Sequence, residues 1–165
     1  MDDTARSEIQ IREAGPEDAE AVARVLYESF LEFRELYTDG GFAATTPNAE
    51  QIRVRMGEGP VWQAVRNGTA LGTVAAVVKG SRLYMRGMAV LPSARGLGIA
   101  ARLLELVEER ARRERCGSVF LSTTPFLNGA IRLYERAGFR RIDEGPCDLA
   151  GTALFTMQKD ISGID

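Results

Sequence analysis

The stretch that most constrains this 165-residue chain is Met88-Ala89-Val90-Leu91-Pro92-Ser93-Ala94-Arg95-Gly96-Leu97-Gly98-Ile99-Ala100. A buried strand stops at a proline, a loop with two glycines follows, and a helix opens at once. Glycine lets the backbone approach a ligand closely and turn its N–H groups inward. The helix start adds unpaired N–H donors and about half a positive charge. Together these make an anion site fit for a phosphate or pyrophosphate, with Arg95 as a cationic contact. Two other phosphate-binding patterns fail. A Walker-type loop needs Gly-Lys before Ser or Thr, and the chain has none. A dinucleotide fingerprint needs an acidic residue after the next strand. Glu114 lies about the right distance on, but at the end of a helix, where it cannot reach a ribose.

The elements around this loop follow from periodicity. Ile9 and Ile11 predict a strand over 7–13. Gly15-Pro16 breaks it and starts a helix whose Val22, Val25, Leu26 and Phe30 share a face, ending near Tyr37. The segment Thr38 to Pro47 reads as a mobile loop, and Asn48 to Met56 as a shorter helix. Val61 to Val65 and Ala70 to Val78 form a hairpin across Asn67-Gly68, and Leu83 to Leu91 is the next strand. The long helix after Gly98 ends near Arg115, with Glu108–Arg112 and Glu109–Arg113 as i,i+4 pairs. A strand at Val119 and Leu121, a helix from Phe126 to Ala137 capped by Gly138, and strands at Phe139 to Ile142 and Ala153 to Met157 complete the order.

That order is β-α-α-β-β-β-α-β-α-β-β. It predicts an α+β fold: a mixed, mostly antiparallel central sheet of about seven strands flanked by about four helices. One domain is expected over 7–160, with 1–6 and 161–165 frayed.

Composition removes whole classes of chemistry. The chain has no histidine, which excludes Ser-His-Asp and Cys-His nucleophile systems and every His-ligated metal. Cys116 and Cys147 stand alone and read as reduced packing residues; no metal is expected. A formal net charge of −2 gives no basic excess for nucleic acid or an anionic membrane. The acidic start lacks the apolar core of a signal peptide, so a cytoplasmic location is expected.

A second constellation runs from Phe126 to Phe139. Asn128 sits at a helix start, and Tyr134 lies further along the same helix. The pattern Arg95-x-x-Gly98-x-Ala100 resembles the Gln/Arg-x-x-Gly-x-Gly/Ala signature of the GNAT superfamily of N-acetyltransferases. The stretch Asn128 to Phe139 is similar to that family's later Asn-x-x-Ala-x-x-x-Tyr-Glu-x-x-Gly-Phe segment. The element order fits too, and the resemblance runs from Ile9 to Met157.

The resemblance implies acetyl-CoA as co-substrate and transfer of its acetyl group to an amine. It implies that the backbone of Met88, Ala89 and Val90 pairs with the pantetheine arm beside a splay in the sheet. Arg95, Gly96, Leu97, Gly98, Ile99 and Ala100 would cradle the pyrophosphate, and Asn128 would contact the pantetheine. Tyr134 would lie beside the sulfur as general acid, with a main-chain N–H near Val90 as oxyanion donor. Phe30, Phe33, Thr123 and Thr124 are candidates for the acceptor pocket, with Tyr37 and Phe42 adding to its apolar wall. The base is open between Glu28, Glu32, Glu35 and a water chain. The expected acceptor is the primary amine of a small molecule, reacting directly in a ternary complex. The alternatives are a protein or peptide amine, or an acyl-CoA sensor without catalysis. A monomer or homodimer is expected.

Overall fold

The computed structural model describes residues 8–161. The expectation of frayed ends lies outside that range except at Ile161. Ile161 is buried, and its N–H donates to the Gly117 carbonyl at 2.8 Å.

Among the described residues nine strands form: β1 (Gln10–Glu13), β2 (Val61–Arg66), β3 (Thr69–Lys79), β4 (Arg82–Val90), β5 (Ser118–Thr123), β6 (Arg140–Ile142), β7 (Asp148–Leu149), β8 (Thr152–Ala153) and β9 (Phe155–Asp160). Seven make one sheet in the order β1-β2-β3-β4-β5-β9-β6, and β7 and β8 pair separately. Only β4 and β5 run parallel; the other neighbours are antiparallel. The α+β class and the mostly antiparallel sheet are as the sequence predicts.

There are five helices among the described residues rather than about four: α1 (Ala19–Phe30), α2 (Asp39–Thr45), α3 (Ala49–Glu58), α4 (Ile99–Arg113) and α5 (Asn128–Arg136). The extra one is α2, in the segment read as a mobile loop. Thr38 caps it, its hydroxyl accepting from the Gly41 N–H at 2.9 Å, and Phe42 is buried against Tyr27 and Tyr37. Tertiary packing overrides the low helix propensity of Gly40 and Gly41. The helix expected to reach Tyr37 is α-helical only to Phe30 and continues as a 3-10 segment, Leu31–Leu36. The apolar stripe ends there: Leu31 and Leu36 are exposed, so no buried face sustains a regular helix.

Each long element has a local cause. Asn67 and Gly68 both take positive φ (52° and 75°), as the tight hairpin between β2 and β3 requires. Asn48 and Gln51 form a reciprocal capping box at α3. From Ala70 to Val77 every residue of β3 is buried, which requires cover on both faces of the sheet. Both α1 and α4 pack over β3 and β4. Leu103 and Val107 of α4 meet Val74 and Val119 in one core.

Three further expectations change. Glu108 does not pair with Arg112; its carboxylate takes Lys159 of β9 at 2.5 Å. Cys116 is buried as a packing residue, but Cys147 is exposed. The strand expected over Ala153 to Met157 is split. Ala153 ends the small β7–β8 hairpin, and β9 runs on to Asp160.

Gly59 ends α3 against β3. A Cβ there would lie 2.1 Å from the Ala76 carbonyl oxygen. Gly59→Ala should cost about 1–3 kcal/mol of stability. The thermal unfolding midpoint should fall by roughly 3–10 °C, as read by circular dichroism.

Candidate active site

The site begins with an irregularity in β4. Thr73 pairs with Ala89 and Ala75 with Arg86, so Val74 faces two residues of β4, Gly87 and Met88. This is a β-bulge, and Gly87 takes the φ of 64° that it needs. On the other side of β4 the parallel ladder with β5 covers only Arg82–Tyr84 against Ser118–Phe120. Beyond it β5 stays paired with β9 through Leu121, Ser122 and Thr123. The two strands part, and the gap opens into a cavity of about 1000 Å³.

The backbone of β4 fixes what faces the gap. The Leu91 N–H donates to the Leu71 carbonyl of β3 at 2.9 Å. Amide direction alternates along a strand, so Ala89 also turns its groups to β3, while Met88 and Val90 turn theirs to the gap. Of the three residues expected to pair with a bound arm, two have free backbone edges. Ala89 lines the cavity without offering its peptide groups.

The loop after β4 ends the cavity. Pro92–Ala94 is a 3-10 turn, Gly96 and Gly98 have φ of 84° and 79°, and α4 starts at Ile99. The first intrahelical bond runs from the Arg102 N–H to the Gly98 carbonyl, and no side chain caps the helix. The amides of the first turn are left for a ligand, and Gly98, Ile99, Ala100 and Ala101 all line the cavity. Arg95 lines it too, and its guanidinium meets the Glu32 carboxylate at 2.5 Å across the mouth.

Of the residues singled out in the sequence, Met88, Ala89, Val90, Arg95, Gly96, Gly98, Ile99, Ala100, Tyr134, Phe30, Phe33, Thr123 and Thr124 meet in this one cavity. Leu97 and Asn128 do not line it. Leu97 packs against the core, and Asn128 is exposed at the first residue of α5, between the lining residues Leu127 and Gly129. Tyr37 lines the cavity and packs edge-on against Phe42 and Phe126. Burial raises its phenol above the ordinary value, partly offset by the neighbouring Thr124 and Thr45 hydroxyls. Tyr134 is buried in the wall, and burial pushes its phenol well up.

Sequence reasoning missed Ser29, Arg55 and Ala101. Ser29 belongs to α1, read for its apolar face and its glutamates, and Arg55 to α3, read only as a short helix, while Ala101 continues the helix start one residue on. Glu28, Glu32 and Glu35 are exposed and off the lining. Among the described residues the lining has five arginines (Arg55, Arg86, Arg95, Arg132 and Arg136) and no Asp or Glu. No group of three or more His, Cys, Asp or Glu stands ready for a metal among them. No helix of the described residues is long and apolar enough to cross a membrane.

Comparison with known proteins agrees with this geometry. The family model for the acetyltransferase (GNAT) family matches residues 22–139. An uncharacterized N-acetyltransferase, YjgM, of Escherichia coli strain K12 is 33% identical over 133 residues, covering 77% of this chain and 79% of that protein. Among solved structures, the PaiA N-acetyltransferase from Thermoplasma acidophilum in complex with coenzyme A superposes with a TM-score of 0.78. It is 16% identical and covers 92% of this chain and 98% of its own. Ard1 from Thermoplasma volcanium gives 0.78 at 21% identity, covering 94% and 99%. With a splayed β4–β5 pair, a glycine loop and a family match over most of its length, the chain belongs to the acetyltransferase (GNAT) family. It is an acetyl-CoA-dependent N-acyltransferase.

Gly98 needs its left-handed φ to aim the first amides of α4, although a Cβ there would meet open space. Gly98→Val should weaken coenzyme A binding about tenfold or more, the scale of one lost charge-assisted hydrogen bond. Calorimetry reads the affinity, and an unchanged far-ultraviolet spectrum shows the fold intact.

Proposed function

We propose that the enzyme moves the acetyl group of acetyl-CoA to the primary amine of a small molecule by direct attack in a ternary complex. The observation that carries this reading is the gap between β4 and β5, which runs from the Gly96–Gly98 loop to Tyr134. The pyrophosphate sits on the first-turn amides of α4. The pantetheine extends along the open edge of β4 at Met88 and Val90. The thioester then lies in the gap with the Val90 N–H directed at its carbonyl oxygen. As the amine attacks, that N–H stabilises the developing oxyanion, a kind of contribution commonly worth about 3 kcal/mol. Thr123 and Thr124, at the end of β5, line the gap with Phe30 and Phe33.

Tyr134 is the general acid. Its raised pKa keeps the phenol protonated at working pH, ready to hydrogen-bond to the departing thiolate. Tyr134→Phe should lower kcat about a hundredfold and leave coenzyme A affinity unchanged, measured by thiol release and calorimetry. Unchanged kcat removes Tyr134 from the mechanism. Tight coenzyme binding with no transfer to any amine would favour the sensor reading instead.

A small acceptor is favoured over a peptide because α2 covers the acceptor end. Ala44 and Thr45 line the cavity there, and Phe42 locks the helix to Tyr37 and Tyr27. The base follows from the lining. With no carboxylate among its described residues, the ammonium gives up its proton to water rather than to a side chain. The rising limb of kcat/KM against pH should therefore follow the acceptor's own amine pKa, shifting as acceptors of different basicity are compared. Tyr134 adds no falling limb below about pH 10, the ordinary phenol value, because burial moves its ionisation upward. A rising limb fixed at one pH for all acceptors would require a base on the protein.

A further inference from the structure

Arg55 reaches the cavity from α3 and lies against the bulge of β4. A Cβ on Gly87 would come within 3.2 Å of its Nη1, so the bare backbone at Gly87 is what admits the guanidinium. None of the ion pairs among the described residues involves Arg55. Its neighbour Arg86 is different: one nitrogen is engaged by the Glu58 carboxylate, while its Nε is buried without a partner. Ser29 stands one turn along α1 from Leu26, which also approaches Gly87. Ser29 is a lining residue, and its hydroxyl is likewise buried without a partner.

Ser29 Oγ and Arg86 Nε, two donors buried without a partner beside a guanidinium that makes no ion pair, carry a desolvation cost that a polar ligand relieves. Burial and the adjacent Arg86 charge press the Arg55 pKa below its usual value, outweighing the opposing influence of Tyr84 and Glu58, so the same surroundings favour an incoming anion. Arg55 and Arg86 against Glu58 leave one surplus positive charge, which matches a single negative charge. A guanidinium fork also fits the two oxygens of a carboxylate.

Resting on the acetyltransferase reading above, we propose that the acceptor amine also carries a carboxylate, held by Arg55 beside Ser29 and Arg86. The acceptor is then an amino acid or a close relative. The carboxylate binds at the Gly87 bulge while the amine points along the gap to the thioester.

The test uses amino acids, each beside its decarboxylated amine and its carboxamide. Binding to the protein–coenzyme A complex is read by calorimetry, and turnover by thiol release. A carboxylate-bearing acceptor should show kcat/KM about ten- to hundredfold above its neutral partners, the scale of a charge-assisted hydrogen bond. Arg55→Met should erase that advantage through KM, with coenzyme A affinity unchanged, and Arg55→Lys should keep part of it. The comparison among acceptors stands on the unaltered protein, so a variant that fails to fold does not decide the result. Equal handling of the neutral partners overturns the proposal. So do an advantage that survives Arg55→Met, a loss of coenzyme A affinity in that variant, and a preference for phosphate-bearing amines. Thiol release with neutral amines alone overturns the carboxylate and leaves acetyl transfer standing. Amino-acid binding without release from any amine overturns transfer and leaves the carboxylate seat standing.

Discussion

One extra residue in β4 governs the rest of the molecule. Gly87 opens a bulge against Val74, and three residues earlier the ladder to β5 has already ended at Tyr84. A bulged strand bends and twists more strongly than a regular one. Its backbone edge beyond Tyr84 is left without a partner strand, and unpaired peptide groups inside a protein need one. Under the proposed function, the pantetheine arm answers that need. The fold therefore stores an incomplete sheet along the wall of the cavity.

Two kinds of polar group converge on that opening. At one end the amides of the first turn of α4 face the cavity because Gly98 begins the helix without a side-chain cap. At the other end Arg55 and Arg86 bring positive charge, with no carboxylate in the lining among the described residues to cancel it. Between them the walls are apolar or weakly polar: Phe30, Phe33, Tyr37 and Tyr134. Low polarity there strengthens every interaction made by the few donors present. It also keeps the Tyr134 phenol in its protonated form.

Most of the frame was legible because it rests on local signals. Asn67-Gly68 marks a hairpin, Pro92 stops a strand, and the Gly96–Gly98 pair announces a helix start. The parts that escaped depend on distant contacts. Helix α2 exists because Phe42 finds Tyr27 and Tyr37, and because the Thr38 hydroxyl donates to the Ala150 carbonyl, more than a hundred residues away. Nothing in Asp39-Gly40-Gly41 signals it. Glu108 had Arg112 at the right spacing, yet Lys159 offers a partner in a more buried position. Arg55 stands on a short helix with no motif to mark it, and only the bulge opposite shows where it goes. Asn128 matched a family pattern by sequence, yet its side chain lies off the cavity lining.

The placement of β9 has a bearing on how the protein is made. This strand threads between β5 and β6 and pairs with β5 at six positions, including Leu121, Ser122 and Thr123, where β5 has left β4. It follows β1 to β8 in the sequence. The β1–β4 meander is built from neighbours and can assemble early. The active gap has no far wall until contacts of long sequence separation close, the slow class of event in folding. A nascent chain thus acquires its Gly96–Gly98 loop well before it acquires a closed cavity.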